Sequence, residues 1–378
     1  MIKKSYIFED GNWDEDLDVS LDSENTLLLC FGATNSSYIA DGLSDITDKF
    51  KNSKILGCST SGEIKDDLLY EKSLVVEVIQ FEKTQLKFYF EELVSDIDSF
   101  QIGENLGNFF KNENNLKSIF ILSDGLHTNG SKLTKGLNKV LSNEIVITGG
   151  LAGDDANFTQ TWVLVNGKPL PKYITAIGFY GDDFRIAYGS EGGWQKFGID
   201  RMVTQAKDNV LYKLDDKPAL EVYKTYLGEH SKDLPASGLL YPLMIKEEGY
   251  VEAKVRTILA VDEETQSITF AGDIPNGSEV MFMKATFEQL INGALNAGQQ
   301  LHDFSYQNEN GVCIAVSCVG RKLVLGQKIE DELETIRDLL PQNVDLLGYY
   351  SYGEISPLSN GECDLHNQTM TVSLIWEV

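Results

Sequence analysis

One turn occurs three times in this chain, and its repetition limits what the chain can fold into. The copies align without gaps as Gly57-Cys-Ser-Thr-Ser-Gly-Glu63, Thr148-Gly-Gly-Leu-Ala-Gly-Asp154 and Gly348-Tyr-Tyr-Ser-Tyr-Gly-Glu354. Each ends in a glycine followed by a carboxylate: Gly62-Glu63, Gly153-Asp154 and Gly353-Glu354. Each also occupies the same place in a longer pattern. A short apolar run opens it at 27–31, 118–126 and 311–321, the length of a buried strand. Apolar residues at helical spacing follow: Ile39, Leu43, Ile46 and Phe50, then Leu133, Leu137 and Val140, then Ile329, Leu333, Ile336 and Leu340. A second run leads into the turn, and further runs at 74–81, 161–167 and 369–378 close the units. Similarity of this kind inside one sequence predicts three β-α-β-turn-β units. The expected fold class is α/β, with mixed sheets flanked by helices.

Strands are also expected at 175–181, 184–189, 255–262, 267–272 and 280–283, with a helix carrying Phe287, Leu290, Ile291, Ala294 and Leu301. A polar hairpin followed by a helix opened by Pro218 places a boundary near 215. The expected organisation is an acidic surface leader over 1–24, an α/β domain over 25–215 and a second over 216–378, their strand-end turns meeting at a polar interdomain pocket.

Composition narrows the partners. The 378 residues are 42% hydrophobic, enough for two or three cores. A net charge of −26 repels phosphate backbones and anionic membrane leaflets, so neither nucleic acid nor membrane is expected as a partner. No apolar stretch reaches the length of a membrane span, and MIKKSYIFEDGNWDEDL lacks the apolar segment of a signal peptide. The expected location is the cytoplasm. The five cysteines, Cys30, Cys58, Cys313, Cys318 and Cys363, include no CxxC and fit reduced, buried thiols. The histidines, His127, His230, His302 and His366, are far apart, and no metal site is expected.

The chemistry of the turns points to a small ligand. Glycine lets the backbone take positive φ and lets a ligand come close to it. In α/β sheets such strand ends line ligand crevices. A carboxylate after the glycine suits an ammonium or hydroxyl group, and hydroxyls at Ser59, Thr60, Ser61 and Ser351 suit a carboxylate. Together they suit a zwitterion such as an amino acid. The competing reading is that the glycines make tight turns and the acids cap them. Ligand contacts are expected from Cys58, Ser59, Thr60, Ser61, Gly62, Glu63, Gly150, Gly153 and Asp154, and from Tyr350, Ser351, Tyr352, Gly353 and Glu354. Arg256, Arg321, His366 and Asn367 are further candidates, each arginine being either ligand-directed or salt-bridged to a turn acid. The first and last turns are expected to face each other across the pocket, and the middle one to be mainly structural. Trp194, Tyr349, Tyr350 and Tyr352 form either an aromatic wall or core. No GKS or GKT follows a glycine-rich loop, so the chain has no P-loop. A thiol hydrolase would need Cys58 as nucleophile, His366 as base and Glu63 as its orienting acid, and nothing in the sequence places His366 beside Cys58.

GCSTSGEI, GGLAGDD, RKLVLG, GYYSYGEISP and LHNQT, in this order, resemble the FIST family with its FIST N and FIST C domains. The resemblance runs from about residue 25 to 370. It implies a non-catalytic sensory module that binds small ligands such as amino acids and feeds histidine kinases, diguanylate cyclases or chemoreceptors. No such output module is expected within this sequence, so a separate signalling partner is. A subset of the family resembles heme-binding nitric oxide sensors. The alternative expectation is therefore noncovalent heme, with His127, His230 or His366 as axial ligand.

Overall fold

The apolar runs form strands that are covered on both faces, which is why they read as continuous hydrophobic segments rather than alternating ones. In each unit the first strand pairs in parallel with the second: Thr26–Ala33 with Lys54–Thr60, Leu116–Ser123 with Val146–Leu151, and Gly311–Cys318 with Val344–Ser351. The helices Ala40–Lys49, Gly130–Val140 and Ile329–Leu339 make the crossovers. The closing strands Leu74–Gln80, Tyr173–Tyr180 and Met370–Glu377 run antiparallel to the first strand of their own unit. In the middle unit the closing strand is thus not the run expected at 161–167. The computed structural model describes residues 1–94, 98–246, 253–301 and 310–378, and His302 lies outside these.

After each turn the chain leaves its own sheet. Glu63–Lys65 pairs with Val344–Ser351, Val163–Val165 with Lys54–Thr60, and Gly353–Pro357 with Val146–Leu151. The first unit gives a strand to the third, the third to the second, and the second to the first. A further strand outside each unit joins each closing strand: Ile2–Glu9 on Leu74–Gln80, Gln85–Glu92 on Tyr173–Tyr180, and Phe184–Glu191 on Met370–Glu377. Residues 1–24 are therefore not a surface leader. Tyr6, Ile7 and Phe8 are buried in the first sheet. The acids that suggested a leader lie after this strand, in its turn and on the exposed connection that follows.

The three sheets have seven, six and six strands. Their inner faces share one core, with Phe31 and Cys58 from the first, Phe120 and Leu122 from the second, and Val316 and Tyr349 from the third. Their outer faces are covered by helices, as with Leu43 and Ile46 against the first sheet, Leu133 and Leu137 against the second, and Leu333 and Ile336 against the third.

The described residues 195–246 and 253–284 form a lobe with its own eight-stranded sheet and its own core around Leu211, Tyr223, Ile268 and Phe282. The lobe is inserted between the strand Phe184–Glu191 and the helix Phe287–Gln300, which Thr286 and Gln289 open with a capping box. The position expected as a domain boundary, near 215, is the tight turn between Val210–Leu214 and Lys217–Pro218, inside this sheet. Residues 192–194 and 285–286 connect lobe to body. Polar contacts dock it: Lys254 to Asp364 at 2.6 Å, Lys132 to Asp208 at 2.9 Å, and the Arg256 guanidinium to the Leu365 carbonyl at 3.1 Å. Among the described residues no helix is long and apolar enough to cross a membrane.

Candidate functional site

The exchanged strands bring the repeated turns into contact. The Ser61 amide donates to the Tyr350 carbonyl at 2.8 Å, the Tyr350 amide to the Gly62 carbonyl at 2.9 Å, and the Gly153 amide to the Ser59 carbonyl at 3.0 Å. The first and last turns therefore do not face each other across a pocket. They are hydrogen-bonded directly, because the strand after each turn must reach the neighbouring sheet.

The turn acids are engaged by the turns themselves. Glu63 accepts the Thr60 hydroxyl at 2.5 Å and the Ser73 hydroxyl at 2.7 Å. Glu354 accepts the Ser351 hydroxyl at 2.6 Å and the Thr369 hydroxyl at 2.9 Å. The same clamp is thus built twice, tying the turn to the residue just ahead of the closing strand. In the middle unit Leu151 stands where Thr60 and Ser351 stand, and has no hydroxyl to give. Asp154 turns instead to the amides of Phe158, Thr159 and Gln160 and to the Tyr352 hydroxyl. The amide of Lys172, ahead of the middle closing strand, goes to Asp124 at 2.8 Å. Burial pushes the Glu63 carboxyl up to about 7 and the Glu354 carboxyl up to about 8, although their hydroxyl donors pull both back down.

Most of the other expected contacts are also committed to structure. Ser59 accepts the Trp162 amide, and Ser61 accepts the Asp155 amide. Gly150 lies opposite Glu354 and Gly353 opposite Leu151 in the second sheet. Tyr349 stacks on Phe31 at 4.7 Å in the central core, and Tyr350 donates its hydroxyl to Glu332. Tyr352 stacks on Phe158, so two of the three tyrosines are core and the third braces the middle turn. Cys58 is completely buried, and burial pushes its thiol well above the ordinary value. It therefore has neither the exposure nor the thiolate fraction of a nucleophile.

Arg256 and Arg321 pair with none of the three turn acids. Arg321, fully buried, holds Glu332 at 2.5 Å and the Leu290 carbonyl at 2.7 Å, and also reaches the Gly192 carbonyl. Arg256 spends its guanidinium on carbonyls and on the Ser131 hydroxyl. Lys322, next to Arg321, bridges all three units, donating to the Ser61 carbonyl, Glu71 and Asp155.

Two cavities adjoin the turns. The smaller, about 220 Å³, lies between the first and middle turns and is lined by Thr60, Gly62, Glu63 and Asp154, with Asn35 and Lys72. The larger, about 400 Å³, lies between body and lobe. Its body side is Ser190, Glu191, Trp194, Asp364, His366, Asn367 and Thr369, and its lobe side is Met244, Lys254, Val255 and Met283. Asn367 is 1% exposed, yet neither its side-chain oxygen nor its nitrogen has a hydrogen-bond partner among the described residues. The Ser190 hydroxyl at the same cavity is also unpartnered. Leaving such a group unsatisfied costs about 1–3 kcal/mol, a cost that binding sites bear more readily than cores do.

Thr369 lines this cavity and also belongs to the Glu354 clamp, so the third turn is one residue removed from it. Of the expected ligand residues, His366 and Asn367 meet here. Sequence reasoning missed Met244, Lys254, Met283, Ser190, Glu191 and Asp364. Their one local signal is the alternation Met281-Phe282-Met283, which puts two methionines on one face of a strand. The three histidines considered as heme ligands lie apart. His127 is held by Asp124 at 2.9 Å and His230 is exposed on the lobe. The Nε2 of His366 lies 3.1 Å from the Ser356 carbonyl, within hydrogen-bonding distance.

A FIST N domain matches residues 26–217 and a FIST C domain residues 219–357. The chain belongs to the FIST family. FIST domains are associated with sensing in signal transduction. An uncharacterized protein of Methanocaldococcus jannaschii is 22% identical over 383 residues, which cover 89% of this chain and 71% of that one. The join between FIST N and FIST C falls where Lys217–Pro218 runs into the helix Ala219–Leu227, inside the lobe. Both FIST segments therefore build the lobe, and both line the larger cavity.

Proposed function

We propose that this protein is a non-catalytic, cytoplasmic sensor that binds a small amino-acid-like metabolite in the cleft between body and lobe. The observation that carries this reading is Asn367. Its buried amide offers one acceptor and one donor group that nothing among the described residues uses, and a zwitterion needs both. Glu191 and the Lys254–Asp364 ion pair put charges of both signs at the same cavity. The turn acids Glu63, Asp154 and Glu354 act as braces of the scaffold and not as ligand groups.

The output follows from where the cleft lies. Its two walls belong to different bodies that are joined by two short connections and docked through polar contacts and the buried Leu239, a mainly polar interface of the kind that permits relative motion. A ligand touching both walls favours the arrangement in which it makes more contacts. A separate signalling protein, such as a histidine kinase or diguanylate cyclase, reads that arrangement. The test is a panel of amino acids scored by thermal shift and by small-angle scattering. A bound amino acid should raise Tm and reduce the radius of gyration, and Asn367→Ala should abolish both. Binding that survives Asn367→Ala unchanged would sink the assignment.

A further inference from the structure

The lobe wall of the cleft is built around a cluster of methionines. On the sheet of the lobe, Met244 stands directly opposite Met281 on the neighbouring strand. Met283 lies two residues further on the same strand, and so on the same face. The intervening residues Leu243 and Phe282 point the other way, into the core of the lobe. Met244, Met281 and Met283 pack as a small cluster separate from that core, with Trp194 from the connection lying against it. Half of the six methionines in the chain are gathered here.

The indole nitrogen of Trp194 donates to the Gln368 carbonyl at 2.8 Å, which fixes the ring at the end of this face. Val255 extends the apolar wall, and Met244 and Met283 are its parts that reach the cavity. The opposite wall, from Asp364 to Thr369, is polar apart from Leu365 and contains Asn367, unpartnered among the described residues.

Resting on the sensor reading above, we infer that the methionine face is the specificity wall of the site, and that it selects an amino acid with a large apolar side chain. The zwitterionic end lies toward Asn367, and the side chain lies against Met244, Met283 and Trp194. Against Met244, Met283 and Val255 a polar or charged side chain would lose its hydration and gain no hydrogen bond from them, and Lys254, the charge on this wall, is already paired with Asp364. Methionine is unbranched and polarizable, so the wall adapts to leucine, methionine and phenylalanine side chains alike. Discrimination among these three is weak, and discrimination against alanine, serine and aspartate is strong.

Titration calorimetry on the full chain, dialysed exhaustively, tests this with leucine, methionine, phenylalanine, alanine, serine, aspartate and lysine. The first three should bind at least about tenfold more tightly than alanine or serine, since each methylene received by an apolar pocket counts for roughly tenfold or more. Met283→Glu should remove that preference, while Met283→Leu, which keeps the wall apolar, should preserve it and control for folding. Equal binding of serine or aspartate would overturn this inference and leave the sensor reading standing. Binding of none of the seven would overturn both.

Discussion

The Ser61 amide donates to the Tyr350 carbonyl at 2.8 Å, fastening the first repeated turn onto the third although they lie at opposite ends of the chain. A turn held in this way is not free to close on a ligand. The two clamps, Thr60 on Glu63 and Ser351 on Glu354, hold the strands that leave these turns for other sheets. The Gly-acid motif therefore specifies architecture, and the ligand site we propose lies in the neighbouring cleft.

The clamps make stability depend on pH with a definite sign. Burial raises Glu63 and Glu354 from an ordinary 4.5 to about 7 and about 8, so the folded state holds these protons more tightly than the unfolded chain does. Their contribution is complete below pH 4.5 and is lost as pH rises through 7 and 8, each group adding a slope of at most about 1.4 kcal/mol per unit. Urea unfolding from pH 5 to 8.5 should show this decline, and Glu354→Gln should flatten it. A wild-type stability that is level or rising across this window would contradict the assignment.

Arg321 and Glu332 form a fully buried ion pair at 2.5 Å. Removing one partner leaves the other charge buried, so Arg321→Met should cost about 3–5 kcal/mol. Replacing both, as Arg321→Met with Glu332→Leu, should recover much of that loss in urea unfolding. No recovery would mean that the carbonyls held by Arg321 at Leu290 and Gly192 dominate the cost.

All five cysteines are buried. Iodoacetamide at neutral pH should label none of them in the native protein and all of them in urea. Cys58→Ala should lower stability by about 2 kcal/mol or less through the loss of a small buried group, and leave ligand binding unchanged. Rapid native labelling at Cys58 would reopen the hydrolase reading.

Deleting residues 1–13 tests the corrected view of the N-terminal segment. The deletion removes Tyr6, Ile7 and Phe8 from two cores and exposes the edge of Leu74–Gln80. The truncated chain should lose cooperative unfolding or aggregate. A soluble variant with unchanged Tm would show that the strand is dispensable.

The units were legible in the sequence because helical and strand periodicities are local, and because the Gly-acid turn repeats them in register. The strand exchange was not legible. Glu63–Lys65 is three residues long, and its partner Val344–Ser351 is remote in the chain, so no window contains both. Ile2–Glu9 was hidden by the acids that follow it. Glu332 has no local signal that sets it apart from the other acids of Ile329–Leu339, because only the tertiary structure brings Arg321 against it. His366 and Asn367 could be nominated from the motif near them, whereas Met244 and Met283 could not, since the cleft exists only once the lobe is docked.

The circular exchange of strands has a consequence for how such a chain can change in size. In a solenoid each repeat contacts only its neighbours, and copies can be added at either end. Here each unit both lends and borrows a strand, and the loans close after three steps. A fourth unit would find no lender, and a missing one would leave a debt on both sides. The ring has no end at which to grow, so new material enters through its loops, as the lobe does between Phe184–Glu191 and Phe287–Gln300.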